Sequence, residues 1–149
     1  MSPWEARFFQ LCALVASWSD DRSRQVGAVI VDTENNVLSI GYNGFPRRVD
    51  SVRSHRHSRE GGEKYLWIEH AERNAIYSAV RSGASTRGAR MFVSLFPCAD
   101  CARAIIQSGI LELNCFARPL SDERFDKSFD VATTMLLEAG VTVNQFAKI

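Results

Sequence analysis

The order of strand and helix signals constrains this chain more than any other feature. A buried-strand run, Gln25 to Asp32 (QVGAVIVD), is followed by a second, Val37 to Tyr42 (VLSIGY), with turn chemistry at Glu34-Asn35-Asn36 between them. That pair reads as a hairpin. After it, helical and strand patterns alternate: a helix from about Glu69 to Arg81, a strand from Arg90 to Leu95 and a helix from about Ala99 to Ser108. A strand from Leu111 to Phe116 follows, with Leu111, Leu113 and Cys115 on one face, then a helix near Phe129 to Ala139 closed by Gly140, and a last strand, Val141 to Phe146. Before the hairpin, Trp4, Phe8, Leu11, Val15 and Trp18 make one apolar stripe at helical spacing, predicting a helix over Pro3 to Ser17. Strands separated by helices pair in parallel through right-handed crossovers. The order αββαβαβαβ therefore predicts an α/β fold, a three-layer αβα domain with a five-stranded mixed sheet, spanning residues 1–149 as one unit.

Composition agrees with one globular core. Of 149 residues, 46% are hydrophobic and 23% charged, which argues against disorder and repeats. Eighteen basic residues against 17 acidic ones leave a net charge of +1, without the basic excess of a nucleic-acid binder. No apolar run reaches the roughly 18 residues of a membrane span. The N-terminus lacks a basic start followed by an apolar stretch, so a cytoplasmic protein is expected. In a reducing compartment the four cysteines are expected as ligands or core fillers, and Cys12 and Cys115 read as core.

The chemistry concentrates in His70-Ala71-Glu72 and Pro97-Cys98-Ala99-Asp100-Cys101. His-x-Glu with a later Pro-Cys-x-x-Cys is the signature of zinc-dependent nucleobase deaminases. Cys98 and Cys101 stand three apart at a helix start, where both can face one point and the helix dipole favours thiolates. With His70 they give three ligands for one catalytic Zn2+ and leave the fourth tetrahedral position for water. Glu72 is then the catalytic residue that carries protons. A structural zinc clip is the plainer reading of Cys-x-x-Cys with a distant His. The Glu in the second place after His70 and the Pro before Cys98 favour the catalytic one.

Three stretches extend the likeness: Gln25-Val26-Gly27-Ala28 with Gly41-Tyr42-Asn43-Gly44-Phe45-Pro46; His70 to Ile76; and Leu95 to Cys98 with Cys101-Ala102 and Ile105 to Ile110. On these the chain resembles the deoxycytidylate (dCMP) deaminase family of the cytidine deaminase-like superfamily. The resemblance implies hydrolysis of dCMP to dUMP and ammonia, feeding thymidylate synthesis. It implies a homo-oligomer, often a hexamer. It also implies activation by dCTP and inhibition by dTTP, with Mg2+ accompanying the triphosphate, near Gly41, Tyr42, Gly44, Phe45, Arg47 and Arg48. Asn43 would contact the substrate sugar or base, although Asn43-Gly44 is equally turn chemistry.

Ser19, Arg22, Ser23 and Arg24 stand where relatives place phosphate contacts, and also read as a solvated loop. Arg22 replaces a frequent Pro. Ala117-Arg118-Pro119-Leu120 replaces a frequent Ser-Asp-Lys-Tyr, removing its aromatic and leaving Arg118 as a substitute charge. The polar segment Phe45 to Tyr65 exceeds an ordinary connection. Within it the loop Arg47 to Arg59 holds Arg47, Arg48, Arg53, Arg56 and Arg59 beside His55 and His57, fit for a triphosphate effector, the substrate phosphate or only solvent. Other readings remain: a nucleoside or base deaminase, a polynucleotide (tRNA or single-stranded DNA) deaminase, or a non-catalytic module that keeps zinc. Near-neutral charge disfavours the polynucleotide, and Glu72 the idle module.

Overall fold

The computed structural model describes residues 1–118 and 123–147. Strand β1 (Gly27–Val31) pairs antiparallel with β2 (Val37–Tyr42) and, on its other edge, antiparallel with β3 (Arg90–Val93). Strands β4 (Glu112–Phe116) and β5 (Thr142–Phe146) continue in parallel, giving the order β2-β1-β3-β4-β5. The sheet is five-stranded and mixed, as the alternation predicts. One pairing differs: β2 and β3 are linked through a helix yet do not pair, because β1 lies between them. All five β1 residues are buried, so the most apolar run takes an interior position bonded on both edges.

Alternate residues of β1 serve two cores. Val29 and Val31, with Phe92, face helix α1 (Pro3–Ala16). Ala28 and Ile30, with Met91, Val93, Leu113 and Cys115, face α3 (Ala71–Ser82), α4 (Ala99–Gln107) and α5 (Asp126–Glu138). Three layers result, with one helix on one side and three on the other. A Ser2–Glu5 capping box and Pro3 at the first helical position start α1. Its buried face is Phe8, Phe9, Cys12, Val15 and Ala16, so Phe8 and Val15 of the predicted stripe are buried while its ends are not. Trp4 and Trp18 are about half exposed, at 46% and 50%. The face is set by contact with the sheet: Phe9 stacks on Phe116 and meets Phe92 and Phe146 edge-on.

Two glycines let helices approach the sheet. A Cβ on Gly27 would lie 2.0 Å from the Cys12 carbonyl oxygen of α1, and one on Gly41 would lie 2.3 Å from the Ala75 nitrogen of α3. Gly41, expected near an effector, is therefore a packing position that sets α3 against β2.

Other boundaries shift modestly. Leu111 precedes β4 and is exposed, and α5 begins at Asp126, three residues before the predicted start. The aperiodic segment after β2 contains single turns at Ser54–His57 and Glu60–Gly62 and the short helix α2 (Lys64–Trp67). Pro119 and Leu120 lie outside the described residues.

Candidate active site

Two helix starts meet at one point. His70 is the N-cap of α3 and Cys98 the N-cap of α4, both with extended backbone, and Cys101 lies in the first turn of α4. His70 Nδ1 is 3.4 Å from the sulfur of Cys98 and 3.4 Å from that of Cys101. Ligand atoms of the three residues lie within 4.8 Å of one another, and no other such cluster occurs among the described residues. A tetrahedral zinc with bonds of about 2.3 Å to sulfur and about 2.0 Å to nitrogen separates those atoms by about 3.5 Å. The donor set and spacing therefore fit zinc.

The local electrostatics favour a thiolate at Cys98. The Cys101 thiol hydrogen-bonds Cys98 and, with His70, brings the Cys98 thiol down to about 4 against the pull of burial. Cys101 correspondingly holds its own proton well above the ordinary thiol range. Burial opposes a charged His70, but its hydrogen bond to Cys98 and the nearby Glu72 carboxylate raise it above its usual value. Glu72, in the first turn of α3 and 3% exposed, is pushed up by burial.

Supporting contacts hold both helix starts. Glu69 accepts the His70 backbone N–H and pairs with Arg73, which also faces Asp100 at 3.7 Å. Ser128 of α5 accepts the Ala99 N–H at 2.8 Å, fixing the first turn of α4 beside Cys98. Cys115 is buried and its thiol pushed up to about 12 by burial, and Cys12 is likewise buried. Both are core fillers.

His70, Glu72 and Cys98 line a cavity of about 170 Å³ that also contains Arg24, Asn43, Arg59, Lys64, Tyr65, Arg124 and Phe125. Asn43 therefore reaches the cavity, but its amide is already engaged. It donates to Asp21 and to the Arg24 carbonyl and accepts the Val26 N–H at 2.8 Å. Both donors are spent on the protein, and only the second lone pair of Oδ1 remains for a substrate.

Of the basic and hydroxyl residues expected at a phosphate, Arg24 lines the cavity and the others do not. Ser19 is buried, donating to the Asn43 carbonyl at 2.6 Å. The Ser23 hydroxyl is bound to Asp21, Arg22 points to solvent, and Arg118 pairs with Asp130 of α5. The loop is thus a built structure organised by Asp21, not a simple alternation of solvated charges.

The residues expected near an effector make separate local contacts. Tyr42 meets Trp18 edge-to-face at the surface, Gly44 bridges to Glu69, and Phe45 packs on His57. Arg47 and Arg48 are exposed.

Arg59, from the arginine-rich loop read as fit for a phosphate, lines the cavity, whereas sequence reading missed Lys64, Tyr65, Arg124 and Phe125. Arg59, Lys64 and Tyr65 stand in or beside the aperiodic arginine-rich segment, whose composition hinted at anion binding. Nothing in sequence marks Lys64 as buried, since its partner Asp21 is 43 positions away. Arg124 carried no signal before its guanidinium was seen 3.7 Å from the Tyr65 ring centre.

The model of the cytidine and deoxycytidylate deaminase zinc-binding region matches residues 2–117. A protein of Aliivibrio fischeri named as an uncharacterized deaminase in the luxG 3' region is 41% identical over 96% of this chain and 93% of its own. The deoxycytidylate deaminase of Mus musculus is 40% identical over 96% of this chain and 79% of its own. The crystal structure of dCMP deaminase from the cyanophage S-TIM5, in complex with dCMP and dUMP, superposes with a TM-score of 0.79 at 25% identity, covering 98% of this chain and 99% of that one.

Proposed function

This chain belongs to the cytidine and deoxycytidylate deaminase family, whose zinc-binding region it carries, and from that premise we propose that it hydrolyses dCMP to dUMP and ammonia. One observation carries the choice of a nucleotide: the cavity that holds Glu72 is also lined by Arg24, Arg59 and Arg124. Guanidinium groups suit phosphate, to which each can give two charge-assisted hydrogen bonds.

Zinc, held by His70, Cys98 and Cys101, would supply the Lewis acidity that makes water nucleophilic at neutral pH. Glu72 is the proton carrier. It takes a proton from the attacking water, passes one to the ring nitrogen and assists departure of ammonia. Asn43, through Oδ1, and the apolar walls Val26, Ile68 and Phe129 receive the rest of the nucleotide.

The test is ammonia release from dCMP, CMP, deoxycytidine and a single-stranded oligonucleotide. Two contacts to a charged phosphate at about 1.5 to 3 kcal/mol each favour dCMP over deoxycytidine by roughly 10²- to 10⁴-fold in kcat/KM. Equal turnover of deoxycytidine refutes the nucleotide reading.

The reading extends to self-association, as a hexamer, and to control by dCTP and dTTP with Mg2+. Support comes from family membership and from the exposed Trp18–Tyr42 pair beside the turn at Asn43-Gly44. Light scattering with and without each triphosphate tests both. No helix among the described residues is long and apolar enough to cross a membrane. A cytoplasmic enzyme whose dUMP feeds thymidylate synthesis fits the same reading.

A further inference from the structure

Stretches far apart in sequence line the cavity together: Asp21 and Arg24 from the loop after α1, Asn43 from the end of β2, and Arg59, Lys64 and Tyr65 from the segment before α3. A buried ion pair joins the loop after α1 to the segment before α3. Lys64 Nζ lies 2.7 Å from Asp21 Oδ2 and 2.8 Å from Oδ1, and also reaches the Ser23 hydroxyl. Lys64 is 5% exposed and Asp21 6%.

Asp21 is the hub of its own side. Beyond Lys64 it accepts the Ser23 N–H, the Ser23 hydroxyl, the Arg24 N–H and the Asn43 amide. Lys64 is tied on its side as well: its N–H bonds the Ser58 carbonyl, and its own carbonyl accepts the Ile68 N–H just before His70. The ion pair therefore links the loop bearing Arg24 to the segment that delivers Arg59 and Tyr65.

Buried pairs of this kind add little net stability compared with apolar packing of equal volume. What this pair adds is register between two wall segments that share no strand and no helix. We infer that Lys64 and Asp21 are a positioning pair that fixes the segment 59–67 as a wall of the substrate cavity, and so sets nucleotide binding rather than the chemical step. The inference about binding rests on the proposed nucleotide reading; the inference about the wall does not.

The test uses the zinc-loaded full chain with three variants: Lys64→Met, Lys64→Arg, and the double variant Asp21→Asn with Lys64→Gln. The double variant leaves no buried unpaired charge and keeps the test open if Lys64→Met fails to fold. Hydrogen exchange at Lys64, Leu66 and Ile68, or at position 64's replacement, is expected to quicken by about tenfold or more, with β1 and β3 amides unchanged. Reordering one or two long side chains on binding is expected to raise KM for dCMP by about tenfold, with kcat within about threefold of the parent. Lys64→Arg, which keeps the charge, is expected to recover much of the loss.

A role in global stability alone would quicken exchange in the core strands equally and lower kcat through lost active protein; that pattern overturns the inference. Unchanged exchange at the segment overturns it too, and unchanged KM with quickened exchange removes its binding half. Should the parent not deaminate dCMP, the nucleotide reading falls by itself while the exchange data still decide whether the pair holds the wall.

Discussion

The Arg124 guanidinium stacks on the Tyr65 ring at 3.7 Å from its centre, and both side chains line the cavity that contains Glu72. They come from the segment before α5 and from α2. Arg124→Ala is expected to raise KM for dCMP by about ten- to a hundredfold, the value of one or two contacts to a charged group. Deoxycytidine turnover should hold. Arg118→Ala, which removes only an exposed pair with Asp130, should stay within about twofold. Steady-state kinetics on the two substrates checks both, and a large effect at Arg118 instead would move the phosphate away from Arg124.

Glu72→Gln keeps the shape of a side chain that is 3% exposed and removes its proton. Bound zinc should remain at one per chain, because Glu72 lies outside the His70, Cys98 and Cys101 cluster. Turnover should fall by at least about 100-fold. Metal analysis beside a rate assay separates the two, and a variant as fast as the parent assigns the proton to another group.

Cys98→Ala removes one of three donors and the N-cap residue of α4. Protein purified without added zinc should then hold much less than one zinc per chain and melt at a lower temperature than the zinc-loaded parent. Elemental analysis with a thermal melt is the measurement. Full zinc content in this variant would exclude Cys98 as a ligand.

Gly27→Ala would set a Cβ 2.0 Å from a backbone carbonyl that cannot swing aside. Helix α1 must then shift off the sheet, at a cost of about 1 to 3 kcal/mol or more. The midpoint of denaturant unfolding should drop accordingly, and an unchanged midpoint would mean that α1 docks loosely.

Acid should weaken the hub at Asp21. Burial alone would raise its carboxyl, but Lys64, the N–H groups of Ser23 and Arg24 and the Ser23 hydroxyl together hold it below its ordinary value of 3.8. A carboxyl lowered in the folded state contributes stability that is complete above its unfolded value and is lost as pH falls through the folded one. Asp21→Asn should therefore be less stable than the parent near neutral pH, and the gap should begin to narrow below about pH 3.8 and vanish only once pH has fallen through the lower folded value. Unfolding curves across that range test it; a gap independent of pH would assign the effect to shape rather than charge.

The sequence by itself determined whatever rests on local period and spacing. Apolar runs of strand and helix length in alternation gave five strands and their helices, because period, run length and turn residues are properties of neighbouring positions. His70, Cys98 and Cys101 were legible as a possible ligand set for the same reason: each stands at a helix start, where three-residue spacing and a helix dipole are local properties. Tertiary structure alone decided what depends on distant partners. It set the buried face of α1, where contact with Gly27 and Phe92 overrode the stripe through Trp4 and Trp18. It set β1 between β2 and β3, since the hydrogen bonds of a central strand are claimed by whichever edges reach it. It also chose which cations line the cavity. Arg118 is held away by Asp130, and Ser19 and most of the Asn43 amide are consumed by the loop around Asp21. Lys64, Arg59 and Arg124 arrive from segments without a period. A buried charge is defined by its partner, and the partner of Lys64 lies 43 residues earlier in the chain, where no local pattern can announce it.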